Sequence, residues 1–260
     1  TGISNGGFRK GSDNSGLTSI VYSKSSLGEY LYVLGYNNIR RIDISDPGIP
    51  VLGYAGTAPF AGTGSEGDAE GGRGTGELSK PTAIVAVQNG VGSGIFGEGS
   101  LVVAHTSYQL RTVTPTGGVH SWSGVTYATG IASNGDPSVG GSDPLAVNGF
   151  DPVNYVGISG VAIDDESNLY ICDSEAFAGA FLIRKVLPNG FVYTPPMRDH
   201  FLGGATPGHC DGEGGEVSLS QPKQIFRDEE EGFFVFIDEF IWNVSVTYSD
   251  VFWVVKWGCR

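Results

Sequence analysis

A repeat of about 68 residues constrains this chain more than any other feature of its sequence. Four short apolar segments recur, and each has one leucine or phenylalanine as its anchor. The anchors are 70, 68 and 65 residues apart, and they are Leu31, Leu101, Leu169 and Phe234. One apolar segment precedes each anchor and two follow it, so every unit contains four stretches of strand length. Four such units predict an all-β chain of repeated four-stranded sheets.

Turn-forming residues separate these apolar stretches. The chain has 42 glycines and 13 prolines among 260 residues, which excludes a helical bundle or a coiled coil. Pro115-Thr116-Gly117 and Pro188-Asn189-Gly190 lie between the third and fourth stretches of their units, where a tight turn is required. Long loops rich in glycine, aspartate and serine, at 62–78 and 203–219, connect successive units.

These connecting loops share a motif. The segments 61–84 and 203–222 both combine paired glycines, acidic residues and a Leu-Ser-x-Pro step. The segment 161–173, followed by Ile183-Arg184-Lys185, matches the strands that come after such a loop. The pattern resembles NHL repeats, and the resemblance covers most of residues 17–256. It implies a β-propeller.

The predicted fold is therefore an all-β β-propeller with four NHL-like blades of four antiparallel strands. The whole of 1–260 is expected to form one propeller domain, either as a closed ring or as an excerpt of a longer or tandem chain. The predicted blades cover about 17–56, 80–124, 158–195 and 221–257.

Two positions of the repeat, one after the second strand and one in the third strand, carry polar residues in several units. NHL repeats have an aspartate directly after the second strand, and this chain has Asp173 and Asp238 there but Gly35 and His105 in the other two units. An arginine recurs in the third strand of the first three units, as Arg40, Arg111 and Arg184. Its recurrence at one repeat position favours a structural role over a ring that binds anions.

The charge balance excludes several partners. With 15 basic and 28 acidic residues the net charge is −13, so the chain lacks the basic surface that nucleic acids or anionic membranes require. No apolar run of the length of a membrane span is present, so membrane insertion is not expected. The sequence starts at Thr1 and has Met197 as its only methionine, which indicates a processed or excerpted chain. An extracellular or cell-surface location is expected.

Three cysteines cannot all pair within one chain. Cys210 precedes the first strand of the last blade and Cys259 follows its fourth strand. In an up-and-down blade these two places lie on the same side, so a Cys210–Cys259 disulfide is predicted. Cys172 is expected to be a buried thiol.

Metal binding is the alternative to a chain without cofactors. Asp68 and Asp211 lie in acidic glycine-rich loops that could offer oxygen ligands to calcium, although neither loop has the EF-hand spacing. His105 and His209 are candidate zinc ligands, since some NHL-like propellers are lyases that bind zinc through histidines from different blades. No cofactor is expected, and calcium or zinc is kept as the alternative.

The last unit has an aromatic excess. Its candidate interaction residues are Trp242, Phe252, Trp253 and Trp257, and Asn243 heads the sequon Asn243-Val244-Ser245, which could carry an N-glycan. No catalytic motif is present. We therefore expect a non-catalytic extracellular scaffold or protein-interaction module that binds proteins or copies of itself, as a subunit of a larger assembly or fibre. The alternative is a metal-dependent lyase or hydrolase with its site at the channel mouth.

Overall fold

The computed structural model describes fourteen stretches of the chain. These are 17–46, 51–52, 59–87, 97–105, 109–124, 158–173, 181–188, 192–193, 201–203, 208, 217–227, 234–237, 241–246 and 252–257. Within these ranges every regular element is a β-strand, and the strands pair in antiparallel sheets. No helix able to cross a membrane occurs in this part of the chain. The prediction of an all-β chain is confirmed.

The strands form four sheets in chain order. The first sheet consists of β1 (Ser19–Ser25), β2 (Gly28–Gly35), β3 (Asn38–Asp43) and β4 (Val51–Leu52). The second consists of β5 (Pro81–Ala86), β6 (Leu101–His105), β7 (Gln109–Val113) and β8 (Val119–Gly124). The third contains β9 (Ile158–Ile163), β10 (Leu169–Asp173), β11 (Leu182–Val186), β12 (Val192–Tyr193) and β13 (Phe201–Leu202). The fourth consists of β14 (Gln224–Arg227), β15 (Phe234–Ile237), β16 (Ile241–Val246) and β17 (Phe252–Trp257).

The fifth strand of the third sheet differs from the predicted four. β12 pairs only with Lys185 and Val186, at one end of β11. The other end of the same β11 edge, at Ile183 and Arg184, is therefore open to β13, which lies beyond the predicted end of this unit at residue 195. Because β12 has only two residues, it leaves hydrogen-bonding groups along the edge of β11 unpaired, and β13 pairs with β11 at two of those positions.

The chain divides into two compact units. The first is Thr1–Thr106 with Arg111–Ser121, and the second is Ser107–Leu110 with Trp122–Arg260. Most of the first and second sheets belong to the first unit, whereas the third and fourth sheets belong to the second unit.

The core of the first unit lies between its two sheets. Side chains on one face of the first sheet, including Tyr32, Leu34 and Ile39, share a buried cluster with Ile84 and Val103 of the second sheet. Phe60, Ala61 and Leu78 of the connecting segment complete that cluster. Because side chains alternate along a strand, the residues between these positions lie on the opposite face.

That opposite face of the first sheet is only partly covered. Ile20 pairs with Val33, and Tyr22 pairs with Leu31. Ile20 is 60% exposed and Tyr22 is 42% exposed, although Val33, the partner of Ile20 on β2, is buried. The first sheet therefore buries one face more completely than the other.

The core of the second unit has the same arrangement. Cys172 and Ile183 of the third sheet share a buried cluster with Ile225 of the fourth, and the loop residues Val217 and Leu219 join them. Cys172 is a fully buried thiol, as predicted. The burial of this cysteine within a packed cluster is the usual environment of a structural thiol.

One glycine sets how closely these two sheets approach. A Cβ atom at Gly160, in β9, would lie 2.8 Å from Cα of Gln224 and 2.9 Å from the amide nitrogen of Ile225. Both of these atoms belong to the backbone of β14, so a side chain here would force the two strands apart. Next to this contact, Arg227 Nη2 donates to Asp165 Oδ2 at 2.6 Å and joins β14 to the turn after β9.

The repeated Leu-Ser-x-Pro steps have the same backbone conformation. Lys80 and Gln221, each directly before a proline, have φ angles of 44° and 52°. The left-handed region is rare for these residue types, and extended backbone is preferred before proline. Lys80 is held there because its amide donates to Oδ1 of buried Asn37 at 2.8 Å. This shared rare conformation supports the assignment of the two loops to one repeat.

Candidate functional site

A buried charge cluster lies in the second sheet of the first unit. Its members are Arg111 on β7, His105 at the end of β6 and Asp68 in the loop before β5. Arg111 Nη1 lies 3.8 Å from Asp68 Oδ1, and His105 Nδ1 lies 4.0 Å from the same oxygen. The side chains of Arg111 and His105 are fully buried, and that of Asp68 is 29% exposed. Two of the predicted metal-ligand candidates, Asp68 and His105, therefore do lie together.

The imidazole of His105 is uncharged at neutral pH. Burial, together with the smaller effect of the positive charge of Arg111, lowers its pKa to about 3. The amide of Ser79 donates to His105 Nδ1 at 3.4 Å, which places the proton of the neutral ring on Nε2. Within the described residues, Nε2 has no hydrogen-bond partner.

Arg111 is a buried cation that acidic residues of the loop compensate. Burial lowers its pKa, whereas the charges of Asp68, Glu70 and Glu77 raise it. An arginine stays protonated under such conditions, because the guanidinium group is strongly basic. Its three guanidinium nitrogens have no hydrogen-bond partner among the described residues. The compensation is therefore mainly Coulombic and acts across about 4 Å.

The same loop is tied to β8 by the backbone. Gly71 and Val119 exchange two hydrogen bonds, of 3.1 and 2.8 Å. Beside them, the amide of Ser121 donates to Glu70 Oε1 at 2.9 Å and lowers the pKa of that carboxyl group. The loop thus joins the edge of the second sheet through one isolated bridge, and its carboxylates raise the pKa of Arg111.

The arrangement suits an internal ion pair better than a metal site. A metal cation bound to Asp68 and His105 would lie next to a second positive charge. The guanidinium of Arg111 already lies 3.8 Å from Asp68 Oδ1, the oxygen that would bind the metal. The described residues contain no group of three His, Cys, Asp or Glu side chains that could hold a metal ion. The other two candidates, Asp211 and His209, lie outside the described residues, so calcium or zinc binding there remains a prediction. The predicted disulfide cysteines, Cys210 and Cys259, also lie outside them.

The recurrent arginines have structural environments in the described sheets. Arg111 and Arg184 are fully buried, and Arg40 is half-buried. A ring that captures ligands would need guanidinium groups open to solvent. The burial of Arg111 and Arg184 therefore agrees with the structural role expected from the sequence.

The fourth sheet contains the predicted interaction residues. Ile225 of β14 is 3% exposed and packs toward the third sheet, whereas the next residue, Phe226, is 42% exposed. We call the face that contains Phe226 the outer face of the fourth sheet. Strand register assigns to it the positions Gln224, Phe226, Val235, Ile237, Ile241, Asn243, Ser245, Trp253, Val255 and Trp257.

This register separates the four predicted aromatic residues into two pairs. Trp253 and Trp257 lie at outer-face positions, two residues to either side of Val255. Trp242 and Phe252 lie at positions of the other face, which Ile225 shares. Phe226 belongs to the outer face and was not predicted from the sequence. The sequence feature that could have identified it is its place next to Ile225, because successive residues of a strand lie on opposite faces of the sheet.

Comparisons with known proteins find distant structural likeness only. No protein-family model and no curated protein matches the chain. A putative phosphatase from Bacteroides thetaiotaomicron is similar at 19% identity and a TM-score of 0.41, over 58% of this chain and 31% of that one. An auxiliary nutrient binding protein from the same organism is similar at 14% identity and a TM-score of 0.34, over 93% of this chain and 38% of that one.

The PQQ-bound aldose sugar dehydrogenase from Streptomyces coelicolor is similar at 12% identity and a TM-score of 0.36, over 90% of this chain and 79% of that one. The chain spans about a third of the length of the two Bacteroides structures. All three TM-scores are below 0.5, so none of these likenesses supports a conclusion about family or activity.

The burial of neutral His105 predicts acid sensitivity. The pKa in the folded chain is about 3, below the ordinary 6.5, so between these values the unfolded chain binds one more proton. The contribution of His105 to stability is therefore complete above pH 6.5 and is lost as the pH falls toward 3. Through this one group, the free energy of unfolding changes by at most about 1.4 kcal/mol per pH unit. Urea unfolding between pH 3 and 7 should show a weaker pH dependence for His105→Asn than for wild type. Equal pH dependence of the two proteins would contradict a buried neutral imidazole.

The ion pair predicts an unequal effect of removing each partner. Asp68→Asn leaves a buried cation with less compensation and should cost about 2 kcal/mol. Arg111→Met removes that charge and keeps much of the side-chain volume, so it should cost less. The double variant should then be more stable than Asp68→Asn alone, as measured by urea unfolding. Strictly additive losses would show that the two side chains do not interact.

Proposed function

We propose that this chain is a non-catalytic β-propeller module of the NHL type, with its four sheets as blades, and that it acts by binding protein at the outer face of the fourth sheet. The proposal includes an extracellular location, which agrees with the acidic composition and with the predicted disulfide. The partner is a second copy of the chain or another protein with an apolar surface.

The exposed Phe226 carries this proposal. It is 42% exposed on a sheet whose opposite face is buried against the third sheet. Val235, Trp253 and Trp257 lie at positions of the same face. Contiguous apolar positions at the surface of a protein are typical of a site that another molecule covers.

Apolar burial is the driving force that this proposal assigns to association. Aromatic side chains bury roughly 150–250 Å² each when covered, and apolar burial contributes roughly 25 cal/mol per Å². Covering one fully exposed side chain of this kind thus contributes roughly 1.5–3 kcal/mol before the entropic cost of association, and Phe226, which is 42% exposed, contributes less. Tryptophan and tyrosine are also enriched among the residues that dominate binding energy at interfaces.

The buried charge cluster argues against a catalytic role for its own residues. Arg111 and His105 are fully buried, and the loop that contains Asp68 lies across the sheet above them. A general base or an electrophile must reach the substrate directly or through one water molecule. The titratable groups of this cluster are instead used to hold the loop in place.

Polar substitution of the outer face should weaken association. The double variant Phe226→Ser/Trp253→Ser removes two aromatic side chains and should raise the dissociation constant for self-association at least tenfold, as measured by sedimentation velocity over a range of concentrations. Leu27→Ser is the matched control, because Leu27 is 55% exposed in the hairpin between β1 and β2 and lies outside the proposed face.

Two results would contradict the self-association arm of this proposal. One is a wild-type chain that sediments as a monomer at every concentration. The other is a folded double variant, with wild-type circular dichroism, that associates as strongly as wild type. If Leu27→Ser weakens self-association as much as the double variant does, the effect is one of surface polarity in general.

A further inference from the structure

The buried charge cluster of the second sheet contains more hydrogen-bonding atoms than its own side chains satisfy. Within the part of the chain that the structure describes, none of the three guanidinium nitrogens of Arg111 has a hydrogen-bond partner, and neither has His105 Nε2 or Asp68 Oδ1. All five atoms are buried. Nearly every buried polar group in a folded protein is paired, either with a protein atom or with an ordered water molecule. The cluster therefore requires further hydrogen-bonding partners.

The charged groups of the cluster are too far apart to satisfy one another directly. Arg111 Nη1 lies 3.8 Å from Asp68 Oδ1, and His105 Nδ1 lies 4.0 Å from the same oxygen. A hydrogen bond between a nitrogen donor and an oxygen has a length of about 2.9 Å. The distance between Nη1 and Oδ1 is one that a single water molecule can bridge, since it can lie about 2.9 Å from both atoms.

The donor and acceptor pattern identifies the chemical class of the bridging molecule. Arg111 and His105 Nε2 can only donate, whereas the carboxylate of Asp68 can only accept. Water does both, but an anion cannot donate to Asp68 and a metal cation is repelled by the guanidinium. The charges of Asp68, Glu70 and Glu77 all act on Arg111, so the cluster lacks the excess positive charge that an anion needs.

From this geometry we propose that the buried charge cluster is a binding site for ordered water, in which one molecule accepts a hydrogen bond from Arg111 Nη1 and donates one to Asp68 Oδ1. The remaining N–H groups of Arg111 and the Nε2–H of His105 are donors for further molecules of the same cluster. This site is separate from the interaction face of the proposed function, and it does not depend on that function.

The backbone keeps the gap between the two charged groups open. Gly71 and Val119 exchange two hydrogen bonds, and Glu70 Oε1 accepts a hydrogen bond from the amide of Ser121. Both contacts fix the loop to β8 within three residues of Asp68. A direct hydrogen bond between Asp68 and the guanidinium would require a shift of the loop that strains these contacts. Bound water completes the cluster without such a shift, and it thereby becomes part of the connection between the loop and the sheet.

A crystal structure of the full chain, at a resolution that shows ordered water, tests the site directly. We expect one density peak within hydrogen-bond distance of both Arg111 Nη1 and Asp68 Oδ1. A second crystal soaked in bromide should show no anomalous signal at that peak. Two results would overturn the proposal: a guanidinium whose N–H groups all bind protein atoms, or a bromide ion at the peak.

Oxygen-17 magnetic relaxation dispersion tests the same site in solution, because it counts water molecules that stay inside a protein. Arg111→Met removes the donors and keeps much of the side-chain volume, so we expect at least one long-lived water molecule fewer than in wild type. Lys24→Met is the matched control, since it removes a cation whose side chain is 66% exposed, and its count should equal that of wild type.

The count for a folded Arg111→Met, checked by circular dichroism, has two informative outcomes besides the expected one. A count equal to that of wild type contradicts the site, and so does an equal loss in Lys24→Met. If Arg111→Met does not fold, the two crystals of the wild-type chain decide the question.

Discussion

Each short sheet of this chain has an apolar face that is stable only when another sheet covers it, and the rest of this structure follows from that requirement. Tyr32 and Leu34 of the first sheet are buried against Ile84 and Val103 of the second. Ile183 of the third sheet is buried with Ile225 of the fourth. Each sheet thus uses its neighbour to cover one face. The uncovered faces are where exposed aromatic and aliphatic side chains remain, at Ile20 and Tyr22 in one unit and at Phe226 in the other.

The connecting loops contribute buried residues to this packing, and their acidity has a structural use. In the first unit, Asp68 lies 3.8 Å from the buried guanidinium of Arg111, while Glu70 accepts a hydrogen bond from β8. A loop without these carboxylates would leave a buried cation without compensation. Part of the strongly negative net charge is therefore a consequence of how the loop is held. The neutral His105 beside the pair makes this region sensitive to acid.

Strand positions were predictable from the sequence because the apolar anchors recur with turn-forming residues between them. A structural role for Arg111 and Arg184 was predictable from their recurrence at one repeat position. The approach of His105 to Asp68 was not predictable, since it depends on how a glycine-rich loop crosses β6 and β7. The two faces of the last sheet show the same limit. Alternation separates Trp253 from Trp242, but only the burial of Ile225 identifies which face packs against a neighbour.

Hydroxyl-radical footprinting of the tryptophans in the intact, unglycosylated chain tests most directly whether the outer face of the fourth sheet is an interaction face. Trp122 is 8% exposed and serves as the internal reference for a buried indole. The account predicts that Trp253 and Trp257 react readily in the dilute chain and become protected as the concentration rises, while Trp122 stays protected throughout. Protection of Trp253 and Trp257 equal to that of Trp122 at the lowest concentration would contradict it, because the face would then already be covered within a single chain.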